Sequence, residues 1–300
     1  MPSDKVSLSV RPRGKPLKKL PEEISAPYTG KAADLYSELA TKSDISVHRL
    51  RIIKGSDGSL IPNSSDLSIS QTGLRDQSTV YVKDLGPQIA WRTVFLVEYL
   101  GPIIIHPMLL ALLPVSPPST AQILSCVLIT LHFVKRELET LFIHRFSAAT
   151  MPARNIFKNS AHYWLLAGAN IAYWIYKPNS PTARQHNSFF IYGGLLLFLL
   201  GEVGNLFTHI TLRNLRSAGG KERGIPHGLG FDLVTCPNYM FETIAWTGIL
   251  TVTWSLSTLL FVVVAVGQMG VWAGAKEKKY RREFGDKYTK KRSVILPGIW

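Results

Sequence analysis

Phe189-Phe190-Ile191-Tyr192-Gly193-Gly194-Leu195-Leu196-Leu197-Phe198-Leu199-Leu200-Gly201-Glu202-Val203-Gly204-Asn205-Leu206-Phe207-Thr208-His209-Ile210 is a long apolar run. A stretch of about 20 mostly apolar residues reaches across roughly 30 Å of hydrocarbon as a helix, so this run predicts a membrane span. It carries an exception: Glu202, Asn205 and His209 stand at i, i+3 and i+7 and share one face, and the stripe continues into Arg213 and Arg216. An ionised side chain costs about 2.5–3.5 kcal/mol in a span on insertion scales, so such a stripe marks a functional site or an interhelical hydrogen-bond network.

Working outward, five further segments read as spans: 94–114, 121–142, 160–177, 234–253 and 256–275. The connectors divide by charge. Loops 115–120 and 254–255 carry no Lys or Arg, and 178–188 carries Arg184 alone. The opposite side collects Arg145, Arg154, Lys158, Arg213, Arg216, Lys221 and Arg223, and nine basic residues lie between Lys276 and Arg292. Basic loops stay cytoplasmic. Six spans then place the N- and C-termini together in the cytosol. Overall the 300 residues hold 34 Lys+Arg against 20 Asp+Glu, net charge +14, with 46% apolar and 18% charged residues. Soluble domains carry about 25% charged residues. A single soluble globule and a disulfide scaffold are thereby excluded; Cys126 and Cys236 are expected as buried free thiols. The N-terminus has no apolar leader, so the first span is expected to direct insertion itself.

Residues 1–85 are polar and read as a separate α+β domain. Strands are expected at 5–10, 15–20, 47–53 and 79–82, and a helix at 31–41, where Leu35, Tyr36 and Leu39 fall at helical spacing. This order resembles the ubiquitin-like β-grasp fold. Lys18, Lys19, Arg49 and Arg51 are expected to be a solvated face rather than a site.

Three more polar clusters accompany the first. His132, Lys135 or Arg136, and Glu139 share one face of the second span. Cys236-Pro237-Asn238-Tyr239 opens the fifth, with Pro237 suited to a first turn and Asn238, Glu242 and Trp246 on successive turns. A tyrosine, with an unperturbed pKa near 10, is protonated at neutral pH and able to donate a proton. Lys276 to Tyr280 suit a phosphate clamp or mere topogenic charge. The eight histidines include no H-x-x-H, H-x-x-x-H or H-H spacing, which disfavours a membrane di-iron centre, and no metal is expected. The nucleophile elbow, the P-loop and the dinucleotide G-x-G-x-x-G are all missing, and Gly219-Gly220 reads as a loop. The basic residues flank spans, so nucleic acid is not an expected partner.

At these residues the chain resembles the very-long-chain trans-2-enoyl-CoA reductases of the steroid 5-alpha-reductase superfamily. The resemblance lies in Lys135–Phe142, Arg145-Phe146-Ser147, Thr150-Met151-Pro152, Asn155-Ile156-Phe157-Lys158-Asn159, Leu212-Arg213 with Leu215-Arg216, Ile225-Pro226, Cys236-Pro237-Asn238-Tyr239 and Ile295-Leu296-Pro297, and covers almost the whole chain. It implies a catalytic membrane domain over 86–300, in the endoplasmic reticulum, performing the last step of fatty-acid elongation beside other elongation enzymes and membrane lipids. It implies NADPH as cofactor, Tyr239 as proton donor and Lys135 as an essential lysine. Its NADPH contacts fall on Asn205, Arg213, Arg216, Arg223, Asn238, Glu242, Trp246 and Tyr280. The steroid reductases have an aspartate where His209 stands and a phenylalanine where Tyr239 stands, so Tyr239 fits the enoyl-CoA branch. Competing readings are a steroid or polyprenol enone reductase of the same superfamily, a membrane methyltransferase, and a non-catalytic, membrane-tethered ubiquitin-like adaptor.

Overall fold

The computed structural model describes residues 4–114, 117–146, 148–217, 224–288 and 292–298. They divide into two units. One holds the chain up to Ala90 together with Ala149–Arg154; the other holds Trp91–Ala148 and the chain from Asn155 onward.

In the first unit, β1 (Lys5–Pro12) alternates so that Val6, Leu8 and Val10 point inward. It pairs antiparallel with β2 (Glu23–Pro27) and parallel with β4 (Thr79–Asp84), which pairs antiparallel with β3 (Leu50–Lys54). The order is therefore β2-β1-β4-β3. Helix α1 (Ala32–Ser43) sets Leu35, Tyr36 and Leu39 into the same core as Leu8, Ile24, Ile52 and Val80. Each fully buried aliphatic chain contributes about 1.5–3 kcal/mol. The second strand lies at 23–27, not at the expected 15–20. Pro16 and the adjacent Lys18-Lys19 break the alternation there, whereas Ile24 and Ala26 supply the inward pair. Part of the expected third strand, Val47–Arg49, is a short 3-10 turn. A small hairpin of β5 (Gln88–Ala90) and β6 (Thr150–Pro152) completes the unit.

The second unit is helical. All six segments expected to be spans contain helices: α2 (Trp91–Leu112), α3 (Thr120–Leu138), then α4 (Asn155–Ser160) running through a π-helical stretch into α5 (Ile171–Tyr176), α6 (Ser188–Asn214), α7 (Pro237–Thr253) and α8 (Leu256–Phe284). Three helical stretches, Trp91–Leu112, Ser188–Asn214 and Leu256–Lys287, are long and apolar enough to cross a membrane. The others fall short for local reasons. The α3 helix ends in Lys135, Arg136 and Glu137, and α7 has 17 residues. On α6 and α8, Leu199, Leu200, Val203, Phe207, Val263 and Val271 are exposed, a surface suited to lipid.

Ser119 caps α3 reciprocally with Gln122, each side chain accepting from the other's backbone N–H. Helices α6 and α7 pack at close range. A Cβ added at Gly194 would lie 2.7 Å from Gly248 O, and one at Gly248 would lie 2.5 Å from Gly194 O. Small residues let membrane helices approach closely. That approach brings the polar ends of α6 and α7 within hydrogen-bonding reach.

Candidate active site

The polar face of α3 meets those of α6 and α7 in one buried network. His132 Nδ1 lies 2.6 Å from Glu202 and its Nε2 lies 3.3 Å from Glu242. Lys135 Nζ reaches Glu202 Oε2 at 2.7 Å and donates to Asn205 Oδ1 at 2.7 Å. Arg136 donates to Glu139 at 2.6 Å and to the Tyr99 hydroxyl at 3.0 Å. Asn205 Nδ2 in turn donates to the Asn238 carbonyl at 2.9 Å and to Glu242 at 3.0 Å. Three basic side chains thus stand against Glu139, Glu202 and Glu242. Such pairing is what allows charge to be buried at all.

Above this floor lies a cavity of about 350 Å³. Its walls come from the stretch after α3 (His144, Arg145, Phe146), the end of α6 (His209, Leu212, Arg213, with Leu215 and Arg216 beyond), Gly224, the start of α7 (Asn238, Tyr239) and α8 (Lys276, Lys279, Tyr280). Five of these side chains are cationic and none is a carboxylate. Arg145 and Arg216 each donate to the other's backbone carbonyl, tying the two wall segments together. Lys276 Nζ sits 5.6 Å from the Tyr280 ring centroid. Asn238 Oδ1 is buried without a hydrogen-bond partner. A preformed concave site with a few convergent polar groups is the usual form of a ligand pocket.

Among the residues expected from sequence, Arg213, Arg216, Asn238, Tyr239 and Tyr280 line this cavity. Asn205 and Glu242 belong to the floor, and Lys135 reaches Asn238 only through Asn205. Trp246 is turned away from the opening: it packs among His132, Phe133 and Phe261, with ring centroids 5.2, 6.0 and 4.3 Å away. Arg223, Lys221 and Gly219-Gly220 lie outside the described residues. His144, Arg145 and Phe146 line the cavity although no role was expected of them; the signals in the sequence were the basic cluster after the second span and the Arg145-Phe146-Ser147 motif of the resemblance.

Glu139, His144 and His209 bring donor atoms within 4.8 Å of one another, a spacing a metal ion accepts. The same Glu139 oxygen already takes a hydrogen bond from Arg136 and lies 3.0 Å from His209 Nδ1. With Arg136 at 2.6 Å and Lys135 at 3.5 Å, the charge of this carboxylate is already balanced by protein cations, and the arrangement is better described as an ion-pair network.

The family description 3-oxo-5-alpha-steroid 4-dehydrogenase matches residues 149–300. A Schizosaccharomyces pombe protein provisionally named enoyl reductase is 41% identical over 97% of this chain and 99% of its own length. The very-long-chain enoyl-CoA reductase of Dictyostelium discoideum is 40% identical over 88% of this chain and 90% of its own. A human trans-2,3-enoyl-CoA reductase-like protein is 33% identical over 74% of this chain and 64% of its own.

Proposed function

The chain belongs to the very-long-chain enoyl-CoA reductases of the steroid 5-alpha-reductase superfamily, and from that premise we propose that it uses NADPH to reduce the trans-2 double bond of very-long-chain enoyl-CoA to the saturated acyl-CoA. The observation that carries the proposal is that Tyr239, whose hydroxyl has no hydrogen-bond partner among the described residues, lines a cavity that five cations also line.

The donor set fits a dinucleotide phosphate. Arginine forks bind phosphate oxygens bidentately, which suits Arg213 and Arg216, with Arg145, Lys276 and Lys279 as further positive charge. The unpaired Asn238 Oδ1 supplies an acceptor for an amide or hydroxyl, and Tyr280 supplies a ring wall. Asn205, itself held by Glu242, donates to the Asn238 carbonyl from below, and Trp246 packs behind them. NADPH held by these residues would supply the hydride for C3 of the enoyl thioester. In this reading Tyr239 stabilises the charge that develops on the thioester oxygen and protonates C2. Lys135 serves this chemistry through Asn205, as the residue that sets the Asn238 backbone. The acyl tail enters sideways from the bilayer between helices.

The same reading takes residues 1–85 as a ubiquitin-like cytosolic domain, supported by the central parallel β1–β4 pair and the helix on one face of the sheet. It takes 86–300 as a six-span catalytic domain with both termini cytosolic, in the endoplasmic reticulum beside other elongation enzymes.

The test is NADPH oxidation by purified protein with trans-2-enoyl-CoA substrates of graded length. Tyr239→Phe should lose most turnover while still binding NADPH, since the substitution removes one oxygen from the cavity wall and leaves the cationic rim intact. Full turnover by that variant would refute the role of Tyr239.

A further inference from the structure

The segment that delivers Asn238 and Tyr239 is held from behind by the C-terminal part of the chain. Thr235 N donates to Ser293 O at 2.9 Å and Cys236 N to Val294 O at 3.1 Å, so residues 293–294 run alongside 234–236 as a short parallel pair. Ile295 is fully buried in a cluster with Cys236, Met269 and Ala273, against which Tyr239 and Met240 pack.

One carboxylate joins the pieces. Glu277 Oε2 accepts from the Thr235 hydroxyl and, at 2.6 Å, from the Tyr288 hydroxyl, while Oε1 lies 2.6 Å from Arg281. Thr235 and Tyr288 are both buried. Lys276, beside Glu277 on α8, faces the cavity, so a single helical turn forms both the cavity wall and this rear attachment. Two hydroxyls converging on one carboxylate oxygen make charge-assisted bonds, stronger than neutral ones. Between Thr235 and Tyr239 stand Cys236, whose carbonyl accepts from the backbone N–H of both Tyr239 and Met240, and Pro237, whose ring locks φ at the helix start. The link from Thr235 to Tyr239 has little slack.

We propose that Glu277 is a positioning residue: by tying Thr235 to Tyr288 beneath the C-terminal segment, it sets the place of Tyr239 and Asn238 in the cavity. The proposal rests on the reading of Tyr239 as proton donor. A positioning residue acts on the chemical step, because a displacement of about 1 Å at the reacting group costs on the order of 10²-fold in rate. Cofactor affinity is shared among the five cations of the rim, with Asn238 one contact among several, so a shift of Asn238 weakens it far less than it slows the chemical step.

Two measurements on the full-length protein test it. In a Cys126→Ser background Cys236 is the single thiol, and it is fully buried. Its maleimide labelling should accelerate at least about tenfold in Glu277→Gln and Thr235→Val, an effect on the order of one lost charged hydrogen bond. In the same variants kcat should fall about tenfold while KM for NADPH stays within about twofold. Adding Tyr288→Phe to Glu277→Gln should change kcat little further, because both act through one carboxylate. Glu277→Asp should recover part of the loss. Unchanged labelling in both single variants would overturn the attachment itself. Faster labelling with unchanged kcat, or equal losses in kcat and in NADPH affinity, would overturn the positioning role. A wild-type protein that leaves enoyl-CoA unreduced would instead defeat the reductase reading, while the labelling rates still decide whether Glu277 holds Cys236 in place.

Discussion

Replacing Lys135 by methionine separates charge balance from chemistry in the buried floor. Lys135 Nζ stands 2.7 Å from Glu202 Oε2, 2.7 Å from Asn205 Oδ1 and 3.5 Å from Glu139. Its side chain is 19% exposed and that of Glu202 is 11% exposed, so the pair is largely removed from solvent. Taking one partner from a buried pair costs about 3–5 kcal/mol, chiefly because the remaining charge is stranded. The residual exposure of Lys135 places the expected loss at the lower end, about 3 kcal/mol. Lys135→Met combined with Glu202→Gln removes both charges, and the double variant should recover roughly 2 kcal/mol of that loss, within the range measured for directly interacting residues. Unfolding by detergent titration of the purified protein, followed by tryptophan fluorescence, gives both numbers. Activity then divides the roles. If Lys135 acts only by balancing the charge of Glu202, the double variant regains part of its kcat along with its stability; if it acts by setting Asn205, stability returns while kcat stays low, because the bond to Asn205 is still missing. A single variant within about 0.5 kcal/mol of wild type, the range of an ordinary surface change, would refute the charge argument. So would a double variant no more stable than the single one.

Gly248→Ala should destabilise by about 1–3 kcal/mol because the new Cβ meets the Gly194 carbonyl on the facing helix. The control, Gly193→Ala, meets nothing within 4 Å and should be neutral or slightly stabilising in the same titration. In the N-terminal unit, hydrogen bonds from Arg49 hold the Asp84 carboxyl below the usual carboxylate range. This stabilisation is complete above the unfolded pKa near 3.9 and is lost as pH falls toward the lower folded value. Asp84→Asn should therefore cost about 0.2–1 kcal/mol at pH 7, with wild-type and variant unfolding curves converging on acidification below about pH 4. A gap that widens in acid would contradict this. Asn63-Ser64-Ser65, the chain's one N-x-[ST] sequence, should remain unglycosylated in cells, and an endoglycosidase-sensitive shift would reverse the proposed orientation.

Much of the buried polar floor was legible as stripes on single helices. Glu202, Asn205 and His209 recur at helical spacing, as do Asn238 and Glu242, and an ionisable group in an apolar run stands out because water is the only cheap place for it. Pairings across helices were not legible. His132 and Glu202, or Lys135 and Asn205, are about 70 residues apart, and no local period specifies such a match. Trp246 shows the limit of the stripe argument. It follows Asn238 and Glu242 at regular spacing, yet its ring goes to His132, Phe133 and Phe261, where apolar burial favours it more than a polar wall would. The misplaced second strand has a similar cause. Residues 15–20 and 23–27 are both short and mixed, and the choice depends on which can set two side chains into the core facing Leu8 and Leu35.

What the amino-acid order determined by itself is where helices form and which polar groups lie on one helical face, from local periodicity and the cost of transferring charge into hydrocarbon; of the six segments it marked as spans, three are helices long and apolar enough to cross a membrane. Only the tertiary structure decided which of those groups meet. Close packing of α6 on α7, where Gly201 faces Ala245 and Gly204 faces Phe241, brings Asn205 to Asn238. The same packing leaves Lys135 beneath the cavity rather than in it and recruits Arg145 and Phe146 to its wall. Those outcomes depend on interhelical distance, a quantity set by packing between residues far apart along the chain.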